Sequence, residues 1–188
     1  MSTYHHGDLR AAVLAAAAKI IEKEGPGGLS VREAARRAGV SHNAPYRHFP
    51  DRDALLAAIA AEGFELLKKA IENRSGREMG EAYVRFALEH PQRFRLMLGG
   101  QLPLDRYPEL RARAQGTFGK LQEAFAGLGA EASFAAAAAW SLVHGLAHLI
   151  LDGHFENSED FVRKVLGAMR FAATRRAVNP EGSPSAGP

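Results

Sequence analysis

Between Ser30 and Arg52 the chain reads SVREAARRAGVSHNAPYRHFPDR, and its punctuation leaves room for little but short helices around a tight turn. Ser30-Val31-Arg32-Glu33 fits a capping box, in which the serine hydroxyl accepts the backbone N–H three residues on and the glutamate reaches back. A helix therefore begins here. Its apolar face is Val31, Ala34, Ala35 and Ala38, small enough for another helix to come close, and Gly39 supplies the left-handed backbone that reverses the chain. Val40 plugs the turn. Ser41 or Asn43 can cap a second helix, expected over Asn43 to Phe49, and Pro45 makes it start late because proline fits only a first turn. Pro50 ends it. Asp51 is placed to cap a third helix through Leu55, Leu56, Ile59, Gly63, Leu67 and Ile71.

Charge follows the same stretch. Residues 1–52 hold eight Lys/Arg against five acids, and residues 53–188 hold sixteen of each, so the formal excess of +3 lies in the first quarter of the chain. Four of the eight histidines are there too, and the excess grows below neutral pH. A local basic surface beside two short helices and a turn is what phosphate neutralisation and groove reading require.

Residues 8–72 closely resemble the DNA-binding domain of the TetR family of bacterial transcriptional regulators. The likeness rests on an initial helix with Leu9, Val13, Ala17, Ile20 and Ile21, a loop from Gly25 to Leu29, and then SVREAARRAGVSHNAPYRHFPDRDALL. The pattern A-x-x-A-G-V-S, a few residues, Y-x-H-F and a capped helix is specific over this length. The resemblance extends to a subgroup whose regulatory half carries a Trp-His-Gly signature, here Trp140, His144 and Gly145, and whose opening is like Tyr4 to Arg10, YHHGDLR. His5-His6 is accordingly not read as an expression tag.

The rest of the chain is helical by period. Met79, Tyr83, Phe86 and Ala87 share one face; Pro91 precedes a short helix from Gln92 to Leu98; Gly99-Gly100 with Pro103 and Pro108 make an irregular connection suited to bordering a cavity. Leu110, Ala114, Phe118, Leu121 and Phe125 lie in register on a long helix that stops near Gly127 and Gly129. From Glu131 to Asp152 the sequence is apolar almost all round, which calls for burial on more than one side. A last helix starts after Asn157 or Ser158, with Glu159 and Asp160 in its first turn and Arg175 and Arg176 at its end. The fold class is thus all-α: a three-helix helix-turn-helix domain followed by a larger helical domain for ligand binding and dimerisation. The expected division is an N-terminal arm and helix-turn-helix at 1–52, a connecting helix and linker at 53–77, a regulatory domain at 78–177 and a disordered tail at 178–188.

Chemistry assigns the DNA contacts. Ser41, His42, Asn43 and Ala44 open the second helix, where Asn bonds a base edge and Ala meets a thymine methyl; Arg47 reaches guanine or phosphate. Tyr46, His48 and Arg52 suit phosphates, and Arg32 either a base or the backbone. Family members use corresponding positions in these ways. The resemblance further implies a homodimer formed through the last two long helices, with Ser141, Gly145, His148, Leu149 and Asp152 facing Phe161, Val165, Met169 and Ala172. It also implies a small apolar effector among the central helices, for which Phe86, Phe94, Met97, Leu98, Tyr107, Phe118, Trp140, His144 and Leu146 are candidate lining.

The expected function is a homodimeric regulator of double-stranded DNA, in the main a repressor released from a palindromic operator by its effector. The alternative is a helical metal-dependent sensor or enzyme built on His144, His148 and Asp152, with His154 nearby. HGLAH lacks the glutamate of HExxH, and neither a nucleophile-base pair nor a Gly-rich phosphate loop accompanies the histidines. No cofactor, metal or catalytic activity is expected. There are no cysteines for disulfides or thiolate ligands, and neither a signal region nor an uninterrupted apolar run of about twenty residues is read, so the expectation is a cytoplasmic protein with no membrane partner.

Overall fold

The computed structural model describes residues 6–168. Tyr4, His5, Met169, Ala172, Arg175, Arg176 and the expected tail at 178–188 lie outside the described residues. Among the described residues eight α-helices follow one another: α1 (His6–Glu24), α2 (Val31–Arg37), α3 (Arg52–Ile71), α4 (Gly76–Glu89), α5 (Pro91–Leu98), α6 (Pro108–Glu123), α7 (Ala132–Leu151) and α8 (Glu159–Ala168). Short 3-10 segments at Pro26–Gly28, Ala44–Arg47, Leu104–Arg106 and Ala126–Glu131 join them, and no strand occurs among the described residues.

Helix α3 organises the molecule because its sequence is apolar on nearly every side. Ten of its 20 residues are buried, from Leu55 to Ile71. Its first half closes the N-terminal core with Val13, Ala17, Ile20 and Ile21 of α1, Leu29, Val31, Ala34 of α2 and Phe49. Its second half carries α4, α5 and α6. At Gly63 α5 leaves no room for a side chain: a Cβ there would collide with Met97 Sδ and crowd the Arg93 stem. One continuous core therefore runs from α1 to α8, and α7 and α8 pack on α4. Including its leading turn, Ala126–Leu151 is long and apolar enough to cross a membrane by composition, but six residues of α7 from Ala136 to Ile150 are buried within the protein.

The turn region differs from its sequence reading in two respects. Ser30 Oγ accepts the Glu33 N–H at 3.1 Å as expected, but the Glu33 carboxylate does not reach back. It accepts Arg36 and Arg37 guanidinium N–H groups at 2.6–2.8 Å instead, and these bonds hold its carboxyl down at about 2. The second helix is also shorter and tighter than expected: a 3-10 turn over Ala44–Arg47 replaces an α-helix from Asn43 to Phe49. Two prolines explain this. Pro45 and Pro50 both lack an N–H; Ala44 closes back onto Ser41 O at 3.1 Å, and His48 and Phe49 both close back onto Pro45 O at 2.9 Å. Neither Ser41 nor Asn43 caps the turn with its side chain, whereas Asp51 Oδ1 does cap α3 at Ala54 N, 2.7 Å away.

Candidate DNA-binding face and ligand cavity

Gly39 adopts φ +69° and reverses the chain after α2, so that the 3-10 turn crosses α2 with one side inward. Pro45 and Phe49 point into the core, Phe49 only 1% exposed. Ser41, His42, Asn43, Tyr46, Arg47 and His48 then face solvent together, with Arg32 exposed at the start of α2 and Ala44 half-buried beside them. This alternation follows from placing two apolar anchors four residues apart around a tight turn. Arg32 and Arg47 have no ion-pair partner among the described residues, while Arg36 and Arg37 are held by Glu33 and Glu24. Arg52 is also engaged: its guanidinium donates to Leu29 O at 3.0 Å and Pro26 O at 2.6 Å, tying α3 to the loop before α2. Arg10 lies over the Phe49 ring and pairs with Glu109.

Some 500 Å³ of cavity opens on the other side of α3, bounded by α3, α4, α5, α6 and α7. Its wall is mostly hydrocarbon and aromatic: Phe64, Leu67, Phe118, Leu121, Trp140 and Val143 among others, with Gly100, Leu102 and Leu104 of the irregular connection at one side. The cavity exists because α6 covers it thinly. Only Leu110 and Thr117 of its 16 residues are buried.

Behind the wall, Trp140 Nε1 donates to Tyr83 Oη at 3.0 Å, and the same hydroxyl meets His144 Nδ1 at 3.1 Å. Burial pushes the Tyr83 phenol up and the His144 imidazole down, the latter helped by His148, whose ring centroid is 4.6 Å away. Both shifts favour the uncharged forms of the pair, a phenol beside an imidazole. Asp152 turns the other way, onto Arg95 at 2.5 Å, which holds its carboxyl low. Because His144 bonds Tyr83 and Asp152 bonds Arg95, the three residues of the metal alternative do not converge, and no group of three ligating side chains is found among the described residues.

The two halves meet at α5. Glu22 of α1 caps that helix, accepting the Gln92 and Arg93 backbone N–H groups at 3.3 Å each. Arg93, 7% exposed, lies between Glu22 and Glu62 at 3.8 and 3.4 Å. Met97 and Leu98, one turn further, line the cavity.

Two family models match these halves. Residues 13–59 match the model described as bacterial regulatory proteins, tetR family, and residues 77–169 match the tetracyclin repressor-like C-terminal domain. The chain belongs to the TetR family.

Solved structures share this fold. A protein of unknown function from Rhodococcus sp. RHA1 is 33% identical with a TM-score of 0.75, over 89% of this chain and 96% of that one. The TetR family transcriptional regulator PfmR from Thermus thermophilus is 23% identical with a TM-score of 0.59, covering 82% and 94%. The multidrug binding protein EbrR, solved with imidazole, is 23% identical with a TM-score of 0.58, covering 85% and 93%. No curated protein matches the sequence.

Within this TetR architecture the candidate residues separate. Met97, Leu98, Phe118 and Trp140 line the cavity, but Phe86, Phe94 and Leu146 are core, His144 stands behind Tyr83, and Tyr107 sits half-buried before α6. Sequence reasoning misses Phe64, Leu67 and Ile71, because a connecting helix is not expected to wall a cavity. It also misses Tyr83, whose place on the apolar face of α4 hides its polar end. On α7, Ser141 and Leu149 are exposed and Gly145 half-buried, in line with Phe134, 72% exposed and not anticipated. His148 faces inward against Phe94, while Phe161 and Val165 of α8 are half-buried.

Proposed function

We propose that this TetR-family chain is a homodimeric repressor that reads a near-palindromic operator and leaves it when a small molecule fills the cavity. The observation that carries the reading is the outward set of Arg32, His42, Asn43, Tyr46 and Arg47 on a turn anchored by Pro45 and Phe49. Because no side-chain cap occupies Ser41 or Asn43, both are left for DNA. Asn43 reads a base edge; Arg47, Tyr46 and His48 grip base or phosphate; Ala44 packs on a thymine methyl. Arg52 acts from behind, by fixing the loop before α2. With so few direct readers per copy, two copies are needed for specificity, set about one helical turn of DNA apart.

Support for the dimer is the stripe Phe134, Ser141, Gly145 and Leu149 on α7 beside Phe161 and Val165 of α8, a small-residue and apolar face with no cover among the described residues. Trp140, His144 and Gly145 assign the chain to the Trp-His-Gly subgroup in this reading. The bonds from Trp140 to Tyr83 and from Tyr83 to His144 give that signature a physical purpose: they pin α7 to α4. Binding DNA, the protein works in the cytoplasm. An effector that weakens DNA binding a hundredfold requires about 2.7 kcal/mol of preference for the released form, and α5, gripped by Glu22 at one end and exposed to the cavity at the other, is the element positioned to carry it.

Selection of bound duplexes from a random pool tests this. A near-palindrome whose affinity falls with salt, and falls again in a Tyr46→Ala, Arg47→Ala double variant, is the expected result. No enriched motif, or equal binding by both proteins, contradicts it.

A further inference from the structure

The cavity wall has almost no polar capacity to spare. Trp140 Nε1 is spent on Tyr83, and the Tyr83 hydroxyl is shared between Trp140 and His144. The Thr117 hydroxyl lies 3.0 Å from both Phe64 O and Arg113 O, so its proton stays on the backbone. Arg77 is the one charged residue along the wall among the described residues, and its guanidinium pairs with Glu81 at 3.0 Å. Gln115 remains, and it is exposed rather than enclosed. No carboxylate among the described residues lines the space, so a cation finds no counter-charge; Arg77 is more than half exposed to solvent and already paired with Glu81, so it offers an anion little enclosed charge.

Burying an ion without a partner is costly, whereas a hydrocarbon gains from every contact with such a wall. We infer that the effector is an uncharged, hydrocarbon-rich molecule carrying at most a single weak hydrogen-bonding group such as a ketone or an ester. This rests on the reading of the cavity as the effector site. Its one adaptable polar contact is Tyr83. If His144 takes its proton on Nδ1 and donates to the phenol, the Tyr83 O–H is released toward a ligand carbonyl with no net change in charge.

Trp140 is the only tryptophan in the chain and lines the cavity, so its emission reports occupancy directly. The experiment titrates the full chain at pH 7 with 2-nonanone, nonanoate and nonylammonium, all below their aggregation concentrations. Their chains are matched and their heads neutral, negative and positive. An Ala114→Phe variant, which places a ring in the cavity, serves as the control for site, with its fold checked by circular dichroism. If that variant does not fold, Leu121→Phe on the same wall takes its place.

The expected result is a saturable change with 2-nonanone, at least tenfold tighter than with either ion, that is lost when the cavity is filled. An ion that binds as tightly as the ketone, and is also lost on filling, overturns the ligand class while leaving the effector site standing. Absence of any saturable response to all three, or a response that survives filling, overturns the effector site and the ligand class together.

Discussion

Helices α3 and α6 lie against each other yet are built on opposite terms. Half of α3 is buried, and the N-terminal core beside it contains Val13, Ala17, Ile20, Ile21 and Leu55 with no exposed surface at all. Only two residues of α6 are buried, and Ala114, Phe118 and Leu121 on its inner side border the cavity. On the proposed function the turn must hold Tyr46 and Arg47 within a fraction of an ångström of their targets, which demands a close-packed base. A ligand site must keep room, and room costs the dispersion contacts that would otherwise hold its cover in place. On the proposed function the reading head is therefore the rigid part, and an effector filling the cavity would supply the contacts that the cover of the regulatory half lacks.

Matched truncations on the two sides expose this difference most strongly. Phe49→Ala should cost about 3–5 kcal/mol in urea unfolding, because a fully buried ring leaves a cavity the head cannot collapse. Phe118→Ala, at a half-buried ring on the cavity wall, should cost only about 1 kcal/mol. Similar losses at the two positions would break the comparison.

The seam between the halves comes next. Gly63→Val should destabilise by about 1–3 kcal/mol, since the added methyls meet Met97 and Arg93 where α5 crosses α3. Glu22→Ala should cost a similar about 1–3 kcal/mol by leaving Arg93 with Glu62 alone and two α5 N–H groups without an acceptor. Both are read by thermal or urea denaturation.

Arg47→Ala sharpens the comparison from the functional side. It should leave the melting temperature unchanged, weaken operator binding roughly tenfold and lower the salt slope by about one. A drop in melting temperature would mean that the turn is not as independently anchored as Pro45 and Phe49 imply.

The smallest effect concerns pH. His144 is held below its ordinary value of 6.5 in the folded chain, by burial first and His148 second. A base with a depressed folded pKa favours the fold fully above the unfolded value. Stability should therefore fall as pH drops below about 6.5 and level off below the folded value. A His144→Asn variant, which cannot titrate, should flatten that part of the profile.

Much of the head is legible from sequence because its determinants are local. Ser30, Gly39, Pro45, Pro50 and Asp51 act on the backbone within a few residues, and they set where each helix starts and stops. What stays hidden there is competition: Glu33 has arginines three and four residues on, and charge-assisted bonds to them outcompete reaching back to the cap. The cavity is harder. Its wall combines α3, α4, α5, α6 and α7, so Phe64 and Tyr83 have the same apolar periodicity as core residues, and only the crossing of helices decides which rings face space. Phe94 and Phe118 illustrate it: both read as candidate lining, yet one is fully buried against Tyr83 and His144 and the other faces the cavity.

Native-state hydrogen exchange on the full chain, without ligand or DNA, tests most directly the division between a rigid head and a yielding cover. Amides of α1 and α3 should exchange only through global unfolding, while those of α6 should open locally at much lower free energy. Equal protection of α3 and α6 would contradict the account.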